Sequence, residues 1–177
     1  IESINMAYMM ELPMLIVLVQ RLGPATGSAT CGAQGDLAML TGAISGGFSL
    51  PVISVSNMKD CWDLSNKAMK MAIDLRTPVV LLTSKEEIMT LSSFAISQLQ
   101  ELTIIERKQY SSTEIFVPYK INKSLVPEFL PVGDTKHQVR FTASTHDQKG
   151  IIQNTSKEAI ENTKRLELKH LLNLENH

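Results

Sequence analysis

The 177-residue chain is poor in cysteine, with two, and in aromatic side chains, at 5%. Cys31 and Cys61 cannot supply the four thiolates of a structural zinc site or an iron–sulfur cluster. They could form one disulfide, but two thiols among nine methionines point to a reducing, cytoplasmic setting. Neither sign of charge dominates. Seventeen Lys and Arg stand against eighteen Asp and Glu, for a net charge of −1, which removes the long-range attraction to nucleic acid or an anionic membrane. The longest apolar run, Leu12 to Val19, is too short to cross a bilayer. No charged segment leading into an apolar core and a cleavage site opens the chain. An apolar content of 44% is what a globular protein needs, and at roughly 150 residues per domain the length allows one domain, or one plus part of a second. Ile1 already falls inside a helical pattern, with neither an initiator Met nor a capping residue before it, so further chain is expected upstream.

The hydrophobic pattern alternates between strand and helix. Ile1, Ile4, Tyr8 and Leu12 share a helical face that Pro13 ends. Met14 to Val19 is continuously apolar, which predicts a parallel strand buried on both faces. A loop from Gln20 to Asp36 follows, then a short helix from Leu37, the strand PVISVS, an amphipathic helix from Met58 to Arg76 and the strand VVLLTS. This βαβαβ order predicts an open α/β fold with a mostly parallel sheet. Lys85 to Glu106 is expected to be helical and Arg107 to Thr113 a polar linker. Gln138 to Ala143 reads as a strand. Thr155 to Asn173 reads as a solvated, charged helix in which Thr155 and Glu158 have capping-box spacing. The composition shift near residue 110 divides the chain into 1–108, a sheet domain, and 109–177, a linker and the start of a second α/β domain.

The chemistry concentrates in the loop, where four glycines and one proline fall within the seventeen residues from Gln20 to Asp36. In open α/β sheets ligands bind beyond the carboxyl ends of the strands, and this loop leaves the first strand at that end. Glycine lets backbone approach a ligand closely. Arg21 offers a planar fork suited to a carboxylate or phosphate, and Thr26 and Thr30 add hydroxyls. Asp36 is placed to cap the next helix. The plainer alternative is a glycine-rich connection whose Arg21 pairs with a surface acid. The loop is neither a Walker loop, lacking Gly-Lys-Ser/Thr, nor a dinucleotide fingerprint, lacking G-x-G-x-x-G.

The segments ELPMLIVLVQRLGPATG, QGDL and RTPVVLLTS closely resemble the α subunit of 2-oxoacid:ferredoxin oxidoreductases, especially the 2-oxoglutarate type. That family shows E-x-P before a buried strand, then R-G-G-P-S-T-G, Q-G-D-L and a later T-P-V stretch. Val117-Pro118-Tyr119-Lys120, Leu130-Pro131-Val132-Gly133 and Thr145-His146-Asp147-Gln148-Lys149-Gly150 extend the likeness. The resemblance implies that residues 1–108 are the C-terminal part of a thiamine diphosphate pyrimidine-binding-type domain, in an enzyme that decarboxylates a 2-oxo acid with coenzyme A and passes electrons to ferredoxin. It further implies that thiamine diphosphate is shared with a β subunit, which carries magnesium and the iron–sulfur cluster, so that the chain is inactive alone. Arg21 and Thr26 take the positions that hold the substrate carboxylate.

Departures from the family pattern are Leu22 for Gly, Ala25 for Ser, Gly32-Ala33 for a polar pair, Gly47-Phe48-Ser49 for His-Gly-Asp, Ser84 after Thr83 in place of Ser-Asp, and Thr145 for Glu. The Tyr-Pro-Ile-Thr-Pro segment and the cofactor-activating glutamate belong upstream of Ile1. A non-catalytic binding module that keeps the anion loop is the competing reading. Outside the loop, Glu11 at a helix end is expected to be solvated, Cys31 inert and Cys61 a core residue. His146 with Asp147 is too small a set for a metal. His137, His170 and His177 are expected at the surface. Met6, Met9, Met10 and Met71 suit packing or a subunit interface.

Overall fold

A computed structural model describes residues 1–173. Helix α1 (Glu2–Met9) leads into β1 (Met14–Gln20); α2 (Leu37–Thr41), β2 (Val52–Ser54), α3 (Met58–Leu75), β3 (Pro78–Ser84), α4 (Lys85–Met89) and α5 (Lys157–Asn173) follow. The three strands form one parallel sheet in the order β1-β3-β2. The open parallel α/β fold is therefore present.

The central position falls to β3, whose residues Pro78 to Thr83 are all buried, as a continuous apolar strand with neighbours on both sides should be. β1 differs from expectation. It lies at the edge of the sheet, and Met14, Val17 and Val19 are exposed; an apolar run does not by itself tell a central strand from an edge one. Alternation along the strands separates two cores. Leu15, Ile53, Val79 and Leu81 pack with Ala68, Met71, Ala72 and Leu75 of α3, whereas Ile16, Leu18, Val80 and Leu82 pack with Leu40 and Leu50. Cys61 is partly buried against the first of these cores.

Helix α3 begins where the Asn57 side chain accepts from the Asp60 N–H (3.0 Å), and it ends at Arg76, which is left-handed at φ 49°. A capping box at Ser84 and Glu87 starts α4, with the Ser84 N–H donating to Glu87 Oε2 at 2.6 Å. The helix stops after Met89, well short of the extent expected to Glu106. Residues 100–103 lie along α3 instead, held by Trp62 Nε1–H to the Gln100 carbonyl (2.9 Å) and by a reciprocal pair between Asn66 and Thr103. Residues 138–143 form no strand; the Thr142 N–H donates to the hydroxyl of the fully buried Tyr119 at 2.9 Å. α5 is capped by Ser156, whose Oγ accepts from the Ala159 N–H (3.1 Å), in place of the expected Thr155. No helix among the described residues is long and apolar enough to cross a membrane.

Candidate functional site

The loop after β1 folds back on itself. The Ser28 N–H donates to the Leu22 carbonyl at 3.1 Å, and the Cys31 N–H donates to the Ser28 carbonyl at 3.0 Å. Gly27 makes the turn possible. Its φ is +50°, and a β-carbon there would overlap the Leu22 carbonyl, so no other residue fits without opening the turn. Ala25 is also left-handed, at φ 52°.

Two contacts brace the far side of the loop on the start of α4, directly after β3. Lys85 Nζ donates to the Ala29 carbonyl (2.8 Å), and the Glu86 carboxylate fills the space where a Gly32 side chain would stand. Hydrogen bonds from Ser84 and from backbone N–H groups hold the Glu86 acid below the usual carboxylate range. Asp36 precedes α2 but makes no side-chain capping bond, contrary to expectation: its backbone is already helical (φ −98°, ψ −5°), whereas a capping side chain needs an extended one.

Arg21 and Thr26 both lie on this folded loop, Arg21 half-buried at its root and Thr26 exposed. Arg21 Nη2 reaches the Ala25 carbonyl at 3.4 Å, a contact within the loop that keeps the guanidinium over it. Among the described residues Arg21 has no carboxylate within ion-pair distance, so the surface acid of the plainer alternative is not seen there. At the end of β1, Gln20 is buried and its Oε1 has no hydrogen-bond partner. The loop therefore presents an unneutralised fork and a hydroxyl, donors suited to an oxyanion. Among the described residues no three His, Cys, Asp or Glu side chains gather as a metal site.

A second polar centre lies away from the loop, and hydrophobic periodicity misses it. Glu11, at φ 53°, is fully buried, which corrects the expectation that it is solvated. Arg165 grips both of its oxygens, with Nη1 at 3.1 Å from Oε2, and Lys169 Nζ lies 2.9 Å from Oε2. Burial pushes the Glu11 acid up, but the charges of Lys169 and Arg165 outweigh it and hold the pKa at about 2. Burial lowers Lys169 to about 8 against the pull of Glu11.

His170 is likewise buried and not at the surface. Its Nδ1 lies 3.0 Å from the Ser49 carbonyl, which can only accept, so Nδ1 carries the proton and Nε2 accepts from the Thr77 hydroxyl at 3.1 Å. Burial, reinforced by Lys169, lowers its pKa to about 4. Arg165, Lys169 and His170 share the buried face of α5 with Ala159, Asn162 and Leu166, a helical stripe that is mostly polar. The signal was the spacing, not the hydropathy. His146 is buried too, and His177 lies outside the described residues.

The described residues form a parallel α/β sheet whose Arg21 loop leaves the carboxyl end of β1, the end beyond which ligands bind in open-sheet proteins. The chain belongs to the pyruvate flavodoxin/ferredoxin oxidoreductase, thiamine diphosphate-binding family, whose model matches residues 1–165. It is 31% identical over 149 residues to the 2-oxoglutarate synthase subunit KorA of Methanocaldococcus jannaschii, covering 84% of this chain and 40% of that protein. Over 181 residues it is 28% identical to the 2-oxoacid:ferredoxin oxidoreductase subunit alpha of Saccharolobus solfataricus, covering 98% of this chain and 27% of that one. Its fold superimposes with a TM-score of 0.85, at 25% identity, on a 2-oxoglutarate:ferredoxin oxidoreductase from Magnetococcus marinus solved with 2-oxoglutarate, coenzyme A and succinyl-CoA bound; the match covers 98% of this chain and 30% of that one. The chain thus spans about two fifths or less of the length of these relatives.

Proposed function

We propose that this chain is part of the α subunit of a 2-oxoacid:ferredoxin oxidoreductase and that its loop binds the carboxylate of the 2-oxo acid, 2-oxoglutarate being the substrate favoured by the relatives' names. The observation that carries this reading is Arg21: a guanidinium without an acid partner among the described residues, on a turn that Gly27 makes possible, at the carboxyl end of a parallel strand. Arg21 takes the carboxylate on its fork, and Thr26 donates its hydroxyl to the same group. Together they orient the carbonyl carbon for attack, which is catalysis by positioning.

Thiamine diphosphate supplies the electron sink for decarboxylation when bound. The described residues do not fit the whole of that group. They gather no acidic cluster for a magnesium-bound diphosphate, and the loop offers a cationic fork and hydroxyls. In this reading a β subunit holds the magnesium and the iron–sulfur cluster, and ferredoxin and coenzyme A meet the assembled complex, in the cytoplasm. The division into 1–108, part of a pyrimidine-binding-type domain, and 109–177, a linker and the start of a second domain, belongs to the same reading; α5 of the second part packs onto Glu11 and Thr77 of the first.

The test is steady-state oxidation of 2-oxoglutarate by the complex assembled with an Arg21→Lys α subunit, alongside a thiamine diphosphate titration. Weaker catalysis with unchanged cofactor affinity supports the reading; unchanged kinetics leave the loop as structure only.

A further inference from the structure

A cleft of about 290 Å³ that shares no residue with the Arg21 loop opens where residues 115–118, 136–140 and Lys149 come together. One wall is apolar, from Ile115, Val117 and Pro118. The buried Phe116 backs it, with the His137 ring meeting Phe116 edge-on at 6.4 Å between centroids. The other wall carries Lys136, Arg140 and Lys149, and no carboxylate lines the cleft. In a chain whose net charge is −1, this is a local excess of three positive charges.

The backbone gathers these cations. The Tyr119 N–H donates to the Gln148 carbonyl (2.9 Å) and the Ile121 N–H to the Gln148 side chain (3.0 Å), which sets the apolar wall against Lys149. Gly150 is left-handed at φ +74°, and a β-carbon there would stand 3.2 Å from the β-carbon of Arg140. Its absence lets the turn that carries Lys149 close on Arg140.

The acids nearest in sequence do not neutralise the wall. Asp134 Oδ1 accepts from the Lys136 and His137 N–H groups at 2.9 and 2.7 Å. Asp147 Oδ1 accepts from the Lys149 and Ile151 N–H groups at 2.9 and 3.0 Å, and its Oδ2 accepts from Gln153 Nε2 at 3.2 Å. Each lysine is thus anchored through its amide by the aspartate two positions before it, while its ammonium stays out of ion-pair reach of that acid. Among the described residues none of Lys136, Arg140 and Lys149 enters an ion pair. A concave surface lined by one sign of charge concentrates counter-ions.

We propose that this cleft binds the phosphate group of a small molecule, with the ring or apolar part of the same ligand on the Ile115, Val117 and Pro118 wall. Lysine is a point-charge partner for phosphate, and Arg140 adds a planar fork that takes two oxygens. Three cations are more than one carboxylate needs, and they suit the nearly two negative charges of a phosphate monoester. The volume lies at the small end of metabolite sites, with room for a phosphate and a ring.

The test is isothermal titration calorimetry of the intact subunit at constant ionic strength with phenyl phosphate, inorganic phosphate and benzoate. The proteins are the wild type, the Lys136→Gln/Lys149→Gln double variant, Arg140→Gln and Arg21→Lys. Saturable binding of phenyl phosphate to the wild type is expected, with inorganic phosphate weaker for want of the ring and benzoate weaker by roughly tenfold or more for want of charge. The double variant and Arg140→Gln should each bind phenyl phosphate roughly tenfold or more weakly, and Arg21→Lys should bind it as the wild type does. Lys136 and Lys149 are exposed, so the double variant reports even if Arg140→Gln does not fold. No saturable binding to the wild type overturns the proposal, as does undiminished binding to the double variant. Benzoate or inorganic phosphate binding as tightly as phenyl phosphate overturns it too, and so does a loss in Arg21→Lys alone, which would place the anion in the loop.

Discussion

Glu11 and Arg165, 154 positions apart in sequence, meet as a buried two-point ion pair that fastens the last described helix to the end of the first. Lys169 and the backbone carbonyl of Arg76 complete the cluster, with Lys169 Nζ 3.2 Å from that carbonyl. Removing one member of such a cluster strands the others as unpaired charges in a dry interior. Glu11→Gln should therefore lower unfolding stability by about 3–5 kcal/mol, far more than a surface carboxylate would. Urea unfolding followed by circular dichroism measures this. A change below about 1 kcal/mol would mean that water reaches the cluster.

Acid should weaken the fold in two stages. His170 has a pKa of about 4 when folded against an ordinary 6.5, so between these values the unfolded chain binds the extra proton and stability falls as pH falls. Above 6.5 this contribution is fully present, and at about 1.4 kcal/mol per pKa unit it amounts to roughly 3 kcal/mol. His146, whose pKa burial also lowers, acts in the same sense. Glu11 follows, its contribution fading as pH drops from 4.5 toward about 2. Unfolding free energies at pH 7, 5 and 4 should trace the first stage. His170→Gln should flatten most of it, whatever that substitution costs at pH 7.

In the assembled complex, Arg21→Lys should reduce kcat/KM for 2-oxoglutarate by roughly 10–100-fold. It keeps the charge but gives up the fork, an interaction of about 1.5–3 kcal/mol. Thr26→Val should cost less, since it removes one neutral donor and nearly keeps the shape. Steady-state kinetics on the two variants and the double mutant would show whether the side chains act on one group, because shared contact predicts non-additive losses.

Gly27→Ala should damage the site while sparing the fold. The left-handed backbone costs a β-carbon about 1–2 kcal/mol, and the Leu22 carbonyl blocks it outright. The turn must open, which moves Thr26 relative to Arg21. A KM for 2-oxoglutarate raised roughly tenfold is expected, with a melting temperature within a few degrees of the wild type, because the loop contributes little to either core. Differential scanning fluorimetry beside the kinetics checks both halves.

What could be read in the sequence follows from where burial is apolar. β1, β3 and α3 were legible because Leu15, Val79, Leu81 and Ala72 repeat at strand and helix periods against one another. Arg21 stood out because its loop departs so far from that pattern. Residues 90–156 were not legible. Bonds such as Trp62 to Gln100 and Thr142 to Tyr119 join side chains to backbone across long separations and leave no periodic trace. α5 misled for a related reason: Asn162, Arg165 and Lys169 are as buried as leucines, and their partner Glu11 lies at the other end of the described chain.

The bracing of the loop by Lys85 and Glu86 decides how a ligand must arrive. Both contacts spring from the residues immediately after β3, the strand with neighbours on both sides, so the loop is positioned against the centre of the sheet. If the loop holds a 2-oxo acid as proposed, these two contacts fix its position relative to the sheet, and enclosure of the ligand would come from surfaces brought up against it.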